Sequence, residues 1–342
     1  MVALRSVTRQ SVRVSNARGP AVVVGQVGRD LVLEIDRLPR GGRDTTVHQR
    51  QEVLGGPGGR RAVAMVQLGC PVALVGVLGN DLAGDLVLAQ AVADGVYISG
   101  ITRRAVPTAL LVDLVDAAGT RRSLAEGPGP TLLTAEDVGA VAPLLGRARA
   151  VVLQLQEPAE VVRAALAAAP RDALRGADGA PPDDRTRDAL LASVQVLRMD
   201  VADAGRWVGR ELDGLADVRA AAEGLCAAGP RVVSLATGTD GDLTVWREPG
   251  GRLGEQLVPL LEEAVDPVTT GSAAVAALTV ALLRGADPAT AAWEAGAAAA
   301  LSTSGTGGRR RLDAGEVTRL ADRSRRTTGA GARADARHRA PR

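Results

Sequence analysis

Lysine and phenylalanine are missing from this chain of 342 residues, which has one tyrosine and two histidines. Without lysine the sequence holds neither a P-loop, whose lysine binds phosphate, nor a lysine Schiff base. A protein kinase is excluded on the same ground, because that fold needs a lysine on a strand. His48 and His338 argue against a Ser-His-Asp triad, since the second lies in a basic tail. Any phosphate chemistry must therefore use backbone amides, arginine, carboxylates and a dissolved metal ion.

Cysteine and long apolar runs are also scarce. Cys70 and Cys226 stand alone in the sequence, which argues against a zinc centre and a disulfide framework. The longest apolar run, residues 273–283, is shorter than the roughly 20 residues that span a bilayer. The first residues include Arg5 and Arg9 but no hydrophobic stretch typical of a signal peptide. We therefore expect a cytoplasmic protein without membrane contact.

Charge is nearly balanced, with a formal net charge of +2, which gives no strong field for nucleic acid. Arginines cluster in residues 309–342, which we expect to form a solvated, disordered tail. Nucleic-acid binding by this tail is the alternative, and it is disfavoured because no aromatic residues alternate with the arginines for base stacking. Residues 1–19, rich in arginine and serine, are also expected to be disordered.

Short apolar runs alternate with helical patterns along most of the chain. Buried strands are predicted at residues 21–25, 72–77, 151–155, 194–198 and 231–236. Helices are predicted at 60–68, 83–94, 159–168 and 215–228, after Gly271, and from an N-cap at Asp287 to Leu301. Two hairpins are predicted at 31–35 with 47–53 and at 109–115 with 120–124, and a polar loop at 170–186. The alternation predicts an α/β fold whose mainly parallel sheet is covered on both faces.

Three segments carry a family resemblance. Residues 55–69 read Gly-Gly-Pro-Gly-Gly-Arg-Arg-Ala-Val-Ala-Met-Val-Gln-Leu-Gly, and residues 72–85 follow the pattern VALVGxxGxDxxGD. Further along, a polar, glycine-containing turn at 265–272 runs into an apolar helix. Together they resemble the ribokinase-like PfkB family of carbohydrate kinases. The resemblance implies a three-layer α/β/α domain over residues 20–308, with a small β-sheet lid from about 31–53 and 109–124.

The resemblance implies a sugar site at Asp30, Gly55, Gly56 and Arg60. A carboxylate suits a polyol because it accepts several hydrogen bonds, and glycines let the backbone approach the sugar. Taken alone, Asp30 is more typical of a turn or cap residue. Arg60 stands where the family has an asparagine that contacts sugar hydroxyls. We therefore expect Arg60 to fill part of the pocket, to weaken binding of neutral sugars and to favour an anionic acceptor.

The resemblance also implies a catalytic segment at Thr270, Gly271 and Ser272. The family's catalytic base is an aspartate, and Ser272 occupies its position. A serine hydroxyl is a poor base at neutral pH, and loss of a positioned base slows a reaction by roughly 10²–10⁴-fold. The alternative for Ser272 is an N-cap of the helix that follows. Thr269 replaces a glycine of this turn, where a β-branched residue resists a positive φ.

Nucleotide contacts are implied at Asp200, Asp203, Ser234 and Gly238. Asp200 and Asp203 match the family's Asn-x-x-Glu motif, and two carboxylates three residues apart on a helix could hold Mg²⁺ through water. The acidic preference of a helix N-terminus explains the same pair equally well. Ser234 and Gly238 lie in a segment that resembles the family's nucleotide-contact strand and turn.

The sequence therefore predicts an ATP- and Mg²⁺-dependent carbohydrate kinase, weakened by its substitutions, whose lid sheet forms a homodimer contact. A non-catalytic, sugar- or nucleotide-binding pseudokinase with a regulatory role is the alternative. A dinucleotide-binding oxidoreductase is disfavoured, because the glycines after the first strand, Gly25 and Gly28, do not fit G-x-G-x-x-G.

Overall fold

The computed structural model describes residues 19–126, 129–261, 267–303 and 311–338. Its strands, in chain order, are β1 (Ala21–Val24), β2 (Gly28–Ile35), β3 (Val47–Gly55), β4 (Val72–Gly79), β5 (Tyr97–Arg104), β6 (Leu110–Val115), β7 (Arg121–Ala125), β8 (Ala150–Gln154), β9 (Leu174–Asp178), β10 (Val196–Asp200), β11 (Val232–Ala236), β12 (Asp242–Arg247) and β13 (Leu253–Val258). Its α-helices are α1 (Pro57–Gln67), α2 (Leu82–Ala93), α3 (Ala135–Ala140), α4 (Ala142–Leu145), α5 (Ala159–Ala168), α6 (Asp184–Ser193), α7 (Val201–Val208), α8 (Gly214–Ala228), α9 (Pro267–Leu283), α10 (Pro288–Thr303) and α11 (Ala314–His338). No helix among these residues is long and apolar enough to cross a membrane.

The main sheet has the strand order β13-β12-β11-β10-β9-β8-β1-β4-β5. Its strands run parallel from β5 to β11, and β12 and β13 are antiparallel. The predicted mainly parallel sheet is confirmed, and all five predicted strands lie in it. Their unbroken apolar runs are explained by burial on both faces, which parallel sheets require.

Helices cover both faces of this sheet, as predicted. On β1, Val23 belongs to the core cluster shared with α1, α9 and α10, whereas Val22 and Val24 belong to the cluster shared with α5 and α8. Successive side chains of a strand point to opposite faces, so each buried strand contributes to both cores. The three layers of the α/β/α arrangement follow from this alternation.

A second, four-stranded sheet has the order β3-β2-β6-β7, and we call it the lid sheet. Both predicted hairpins are present, since β2 pairs antiparallel with β3, and β6 with β7. The two hairpins are joined by parallel pairing of β2 and β6, in which Asp30 lies opposite Leu111 and Val32 opposite Asp113. One face of the lid sheet thus carries the carboxylates of Asp30 and Asp113.

The polar loop predicted at 170–186 is wrong. The segment contains β9, which pairs with β8 and β10, and the start of α6. Arg175 made β9 look unlike a buried strand, but its guanidinium donates to the carbonyl oxygens of Pro170 at 3.1 Å and Ala169 at 3.2 Å. Strands β5, β12 and β13 were not anticipated either.

The disordered tail predicted at 309–342 is also contradicted, because α11 occupies most of it. Val317 and Ala321 of α11 are buried in the core cluster and lie four residues apart, on one face of the helix, and Leu312 just before the helix is buried in the same cluster. Arg309, Arg310 and residues 339–342 lie outside the described part of the chain, as do residues 1–18 of the segment expected to be disordered at the N-terminus.

Candidate functional site

Two cavities open at the carboxyl edge of the main sheet. The first, here the lid cavity, holds about 340 Å³ and is lined by residues that include Asp30, Gly56, Arg60 and Asp113. The second, here the strand-end cavity, holds about 460 Å³ and lies beyond β10 and β11, with Asp200 and Gly238 in its wall. The carboxyl edge of a parallel sheet is where α/β proteins commonly bind ligands.

A buried ion pair occupies the lid cavity. The Nε of Arg60 donates to Oδ2 of Asp30 at 2.7 Å, and its Nη2 donates to Oδ1 at 3.2 Å. Both side chains are 7% exposed. Burial raises the pKa of Asp30, and the facing guanidinium opposes that rise. The structure thus brings the two predicted residues into direct contact, and the carboxylate expected to accept sugar hydroxyls already has an arginine on both oxygens.

Gly55 and Gly56 leave the space that the Arg60–Asp30 ion pair occupies. A Cβ on Gly55 would lie 2.0 Å from Oδ1 of Asp30, so no larger residue fits there. Gly56 has φ 76° and precedes α1, and its N–H donates to Oδ1 of Asp30 at 3.4 Å. The glycine loop therefore positions the carboxylate and begins the helix that carries Arg60. The predicted sugar-site residues converge beneath the lid sheet.

Asp200 and Asp203 mark the N-terminus of α7. Asp200 is the N-cap, and its Oδ1 accepts from the N–H of Asp203 at 2.7 Å. The side chain of Asp203 accepts from Arg206 at 2.9 Å. Burial, and then the charge of Asp200, raise the pKa of Asp203. The N-terminus of α7 therefore explains why these two residues are acidic. One oxygen of each carboxylate remains available to a ligand.

The two residues predicted in the nucleotide-contact strand and turn differ in placement. Gly238 has φ 71° and lines the strand-end cavity. Ser234 lies within β11, is 2% exposed and accepts from the hydroxyl of Thr244 at 3.0 Å. The serine is therefore part of the sheet interior and does not line the cavity.

Helix α9 begins earlier than the sequence indicated. It starts at Pro267, so Gly271 and Ser272 lie beyond its first turn and Ser272 is not an N-cap. In an α-helix the amides from the fifth residue onward bond to carbonyls four residues back, which engages the amides of Gly271 and Ser272. Ser272 is 4% exposed, and Thr270 lines a cavity of about 40 Å³. The polar turn expected to present amides at 270–272 is helical.

The structure also contains a cluster of charged residues near the carboxyl ends of β9 and β10 that the sequence pattern does not predict. Arg61 is 0% exposed and donates to Asp178, the last residue of β9. Arg198 of β10 has its Nη2 3.6 Å from Oδ2 of Asp242 and its Nη1 2.9 Å from where a Cβ on Gly271 would lie. The sequence feature that could have predicted this cluster is an arginine within each of two otherwise apolar segments, Arg61 in α1 and Arg198 in β10.

Comparison with known proteins gives a consistent family. The profile of the pfkB family carbohydrate kinases matches residues 20–314 of the chain. A ribokinase from Arabidopsis thaliana is 25% identical over 284 residues, which cover 78% of this chain and 71% of that protein. A 1-phosphofructokinase from Xanthomonas campestris pv. campestris is 30% identical over 274 residues, which cover 74% of this chain and 81% of that protein.

Solved structures share the fold. Arabidopsis thaliana ribokinase complexed with ribose and ATP has a TM-score of 0.70 and 24% identity, covering 90% of this chain and 99% of that one. Phosphofructokinase-2 from Escherichia coli in complex with fructose-6-phosphate has a TM-score of 0.73 and 15% identity, covering 89% of this chain and 98% of that one. These similarities establish the ribokinase-like fold, with its large mainly parallel sheet and separate small sheet.

Proposed function

The chain belongs to the pfkB family of carbohydrate kinases, and from this premise we propose that it transfers the γ-phosphate of ATP slowly to a hydroxyl of a sugar or sugar phosphate. The observation that carries the proposal is the pair of cavities at one edge of the main sheet. In the strand order, β9 and β8 separate β10 from β1, a span of roughly 14 Å at the usual strand spacing. This arrangement suits an acceptor in the lid cavity and a nucleotide in the strand-end cavity.

The proposed transfer is a displacement at phosphorus. The bond from the γ-phosphorus to the oxygen bridging to the β-phosphate breaks, and its electron pair stays on ADP. The acceptor hydroxyl oxygen forms the new bond, and its proton leaves to water, since Ser272 is too weak a base to take it at neutral pH. Loss of that base is the reason why the proposed transfer is slow.

Mg²⁺ is part of the proposal through Asp200 and Asp203. Two carboxylates close enough to raise the pKa of Asp203 leave negative charge that a cation would relieve. Within the described residues there is no group of three or more acidic, histidine or cysteine side chains that could hold a metal. The residues present therefore fit an ion held through water and nucleotide phosphates rather than by a protein cage. When bound, the ion neutralises phosphate charge.

The acceptor class follows from Arg60. Because its guanidinium occupies both oxygens of Asp30, a neutral sugar finds no free carboxylate there. A phosphorylated sugar brings an anion that can share the guanidinium. A relative of this chain is a 1-phosphofructokinase, which supports an anionic acceptor.

The test compares the unmodified protein with Ser272→Asp and Ser272→Ala in ATP-dependent phosphorylation of a panel of sugars and sugar phosphates. We expect slow transfer that Ser272→Ala leaves unchanged and that Ser272→Asp raises by at least tenfold. A gain below the roughly 10²–10⁴-fold worth of a base is expected, because position 272 lies inside a helix. Adding Thr269→Gly to Ser272→Asp tests whether loosening the first turn of α9 raises the rate further. Fast transfer that Ser272→Ala abolishes would contradict the proposed role.

A non-catalytic pseudokinase is the second candidate, favoured by one observation. Ser272 is buried in α9 and lacks the acid–base character that the transfer needs. On this alternative the protein binds a sugar or a nucleotide and has a regulatory role. Calorimetry separates the two candidates, because binding of ATP without turnover on any acceptor, even in Ser272→Asp, supports the pseudokinase. An absence of nucleotide binding would contradict the kinase, and an absence of both nucleotide and sugar binding would contradict both candidates.

We also propose that the lid sheet forms a homodimer contact. Its face opposite the lid cavity carries Leu31, Leu33, Val112 and Leu114, all half-buried, with Leu31 opposite Val112 and Leu33 opposite Leu114. Leu124 extends this face and is 62% exposed. A contiguous apolar face on a sheet is a common interaction surface.

A further inference from the structure

Two buried arginines lie between the lid cavity and the strand-end cavity. Arg61 belongs to α1 and is 0% exposed, and the side chain of Arg198 in β10 is 9% exposed. Arg61 pairs with Asp178 at the end of β9, the strand beside β10 on the side towards β1. The charge of Asp178 also acts on Asp203, which caps the helix beside the strand-end cavity. The Arg61–Asp178 pair therefore lies, in the strand order, between β1 and β10, the strands that lead to the two cavities.

Both guanidinium groups have N–H donors without an acceptor in the described part of the chain. Among the described residues, Nε and Nη1 of Arg61 and Nε of Arg198 have no hydrogen-bond partner. Burial lowers the pKa of Arg61, Asp178 opposes this, and the positive charge of Arg198 lowers it further. Buried donors without an acceptor, and two like charges in proximity, both destabilise a protein. An anion between them would relieve both costs.

The direction of Arg198 indicates where the anion binds. Its Nη1 lies 2.9 Å from the position of a Cβ on Gly271, so the guanidinium packs against the N-terminal part of α9. That end of a helix carries positive partial charge and favours anions. Helix α9 spans Pro267–Leu283, long enough for this effect, and the half-exposed Thr270 is next to Gly271. Arg198 thus brings its positive charge against the N-terminal part of α9, and it lies close enough to Arg61 to lower the pKa of that side chain.

We propose that Arg61 and Arg198 bind the terminal phosphate of ATP and neutralise its charge during transfer. The inference rests on the proposed function and assigns phosphate binding to residues other than the backbone turn at 270–272, which is helical. Two arginines that hold the phosphate let transfer proceed by positioning and charge neutralisation without a strong base. They also favour ATP over ADP, because ADP lacks the phosphate that they contact.

The test is calorimetric binding of ATP, ADP and AMP to the full chain and to Arg61→Gln and Arg198→Gln. We expect the unmodified protein to bind ATP at least tenfold more tightly than ADP. Each variant should lose about ten- to a hundredfold in affinity for ATP, the worth of charge-assisted hydrogen bonds, while its affinity for ADP changes little. In the transfer assay, both variants should lose rate at saturating ATP.

Matched variants separate this role from general loss of a buried arginine. Arg175→Gln removes a buried arginine of β9 that donates to the carbonyl oxygens of Ala169 and Pro170, and its nucleotide preference should not change. Gly271→Ala keeps both arginines but places a Cβ against Arg198, and it should lower affinity for ATP while favouring the helix. If Arg61→Gln does not fold, Arg61→Gln with Asp178→Asn removes the unpaired carboxylate and allows the same measurement.

Equal affinities of the unmodified protein for ATP and ADP would overturn this inference and leave the proposed function standing. Equal losses for both nucleotides in Arg61→Gln and Arg198→Gln, or the same loss in Arg175→Gln, would also overturn it. If the unmodified protein bound neither nucleotide, the proposed function would be wrong and this inference with it.

Discussion

The Arg60–Asp30 pair couples ligand choice to stability within one buried contact. Breaking a buried ion pair by removing one partner leaves an uncompensated charge and costs about 3–5 kcal/mol. The carboxylate released by such a change is also the group best suited to hydrogen-bond a polyol. A single substitution at position 60 should therefore change binding and folding in opposite directions.

For Arg60→Asn we expect tighter binding of neutral sugars and weaker binding of sugar phosphates, because Asp30 gains free oxygens and the cavity loses a guanidinium. The thermal midpoint of the ligand-free variant should fall, and a neutral sugar should restore part of it. Calorimetry over a matched pair of sugar and sugar phosphate measures the first effect, and thermal unfolding measures the second. Unchanged affinities for every ligand would contradict the assigned role of Arg60.

Glu157 gives a prediction for the pH dependence of stability. It is 2% exposed, its Oε2 accepts from the N–H of Leu133 at 3.0 Å, and burial raises its pKa from 4.5 to about 7, with Arg104 opposing and Asp137 reinforcing the rise. Between these two values the folded state holds a proton that the unfolded state has lost. Stability should therefore fall as pH rises through this window, by about 3–4 kcal/mol at about 1.4 kcal/mol per pKa unit.

Glu157→Gln should remove this pH dependence and stabilise the protein at pH 8, because its amide oxygen can still accept from Leu133. Denaturant unfolding at several pH values between 4.5 and 8 measures both effects. Glu160→Gln, an exposed change in the neighbouring helix, is the control and should keep the slope. An identical pH profile for Glu157→Gln and the unmodified protein would show that Glu157 is already charged at pH 6.

At the scale of elements, α11 links the end of the chain to the core. Val317 is 1% exposed and packs in the same cluster as α1 and α9. Val317→Ala should destabilise the protein by about 2 kcal/mol, from lost apolar burial and a small cavity. Thr318→Ala, on the exposed side of the helix, should change stability by less than about 0.5 kcal/mol. Equal midpoints in denaturant unfolding for both variants would mean that α11 does not pack as described.

Elements were predictable from the sequence where local pattern and tertiary environment agree. Strand β1 is an unbroken apolar run and is predicted correctly, whereas β9 contains Arg175, whose charge favours a loop in the sequence. Its acceptors are carbonyl oxygens five and six residues upstream, which the sequence pattern does not reveal. The sequence pattern places the start of α9 too late, because Gly271 favours a turn. The helix begins at Pro267, and proline is well suited to a first helical turn. Within the site, Asp30 and Arg60 were both identified, but their contact depends on how β2 packs against α1.

At the scale of the whole molecule, the lid sheet has two faces of different chemical character. The face with Asp30 and Asp113 borders the lid cavity, and the opposite face carries the half-buried leucines and valine described above. A dimer through the opposite face would shield this apolar surface and limit the movement of the lid over the cavity. Oligomeric state and acceptor binding should therefore depend on each other.

Leu124→Glu tests this contact, since Leu124 is 62% exposed on the dimer-forming face that we propose. We expect the unmodified protein to sediment as a dimer and Leu124→Glu as a monomer, because a carboxylate in an apolar contact is strongly unfavourable. Affinity for the acceptor should fall in the monomer, while ATP affinity stays the same because the residues that line the strand-end cavity lie outside the lid sheet. Leu253→Glu, on β13 at the far end of the main sheet, is the control and should remain dimeric. A monomeric unmodified protein, or a Leu124→Glu dimer of unchanged stability, would contradict a lid-mediated contact and leave the exposed leucine as ordinary surface.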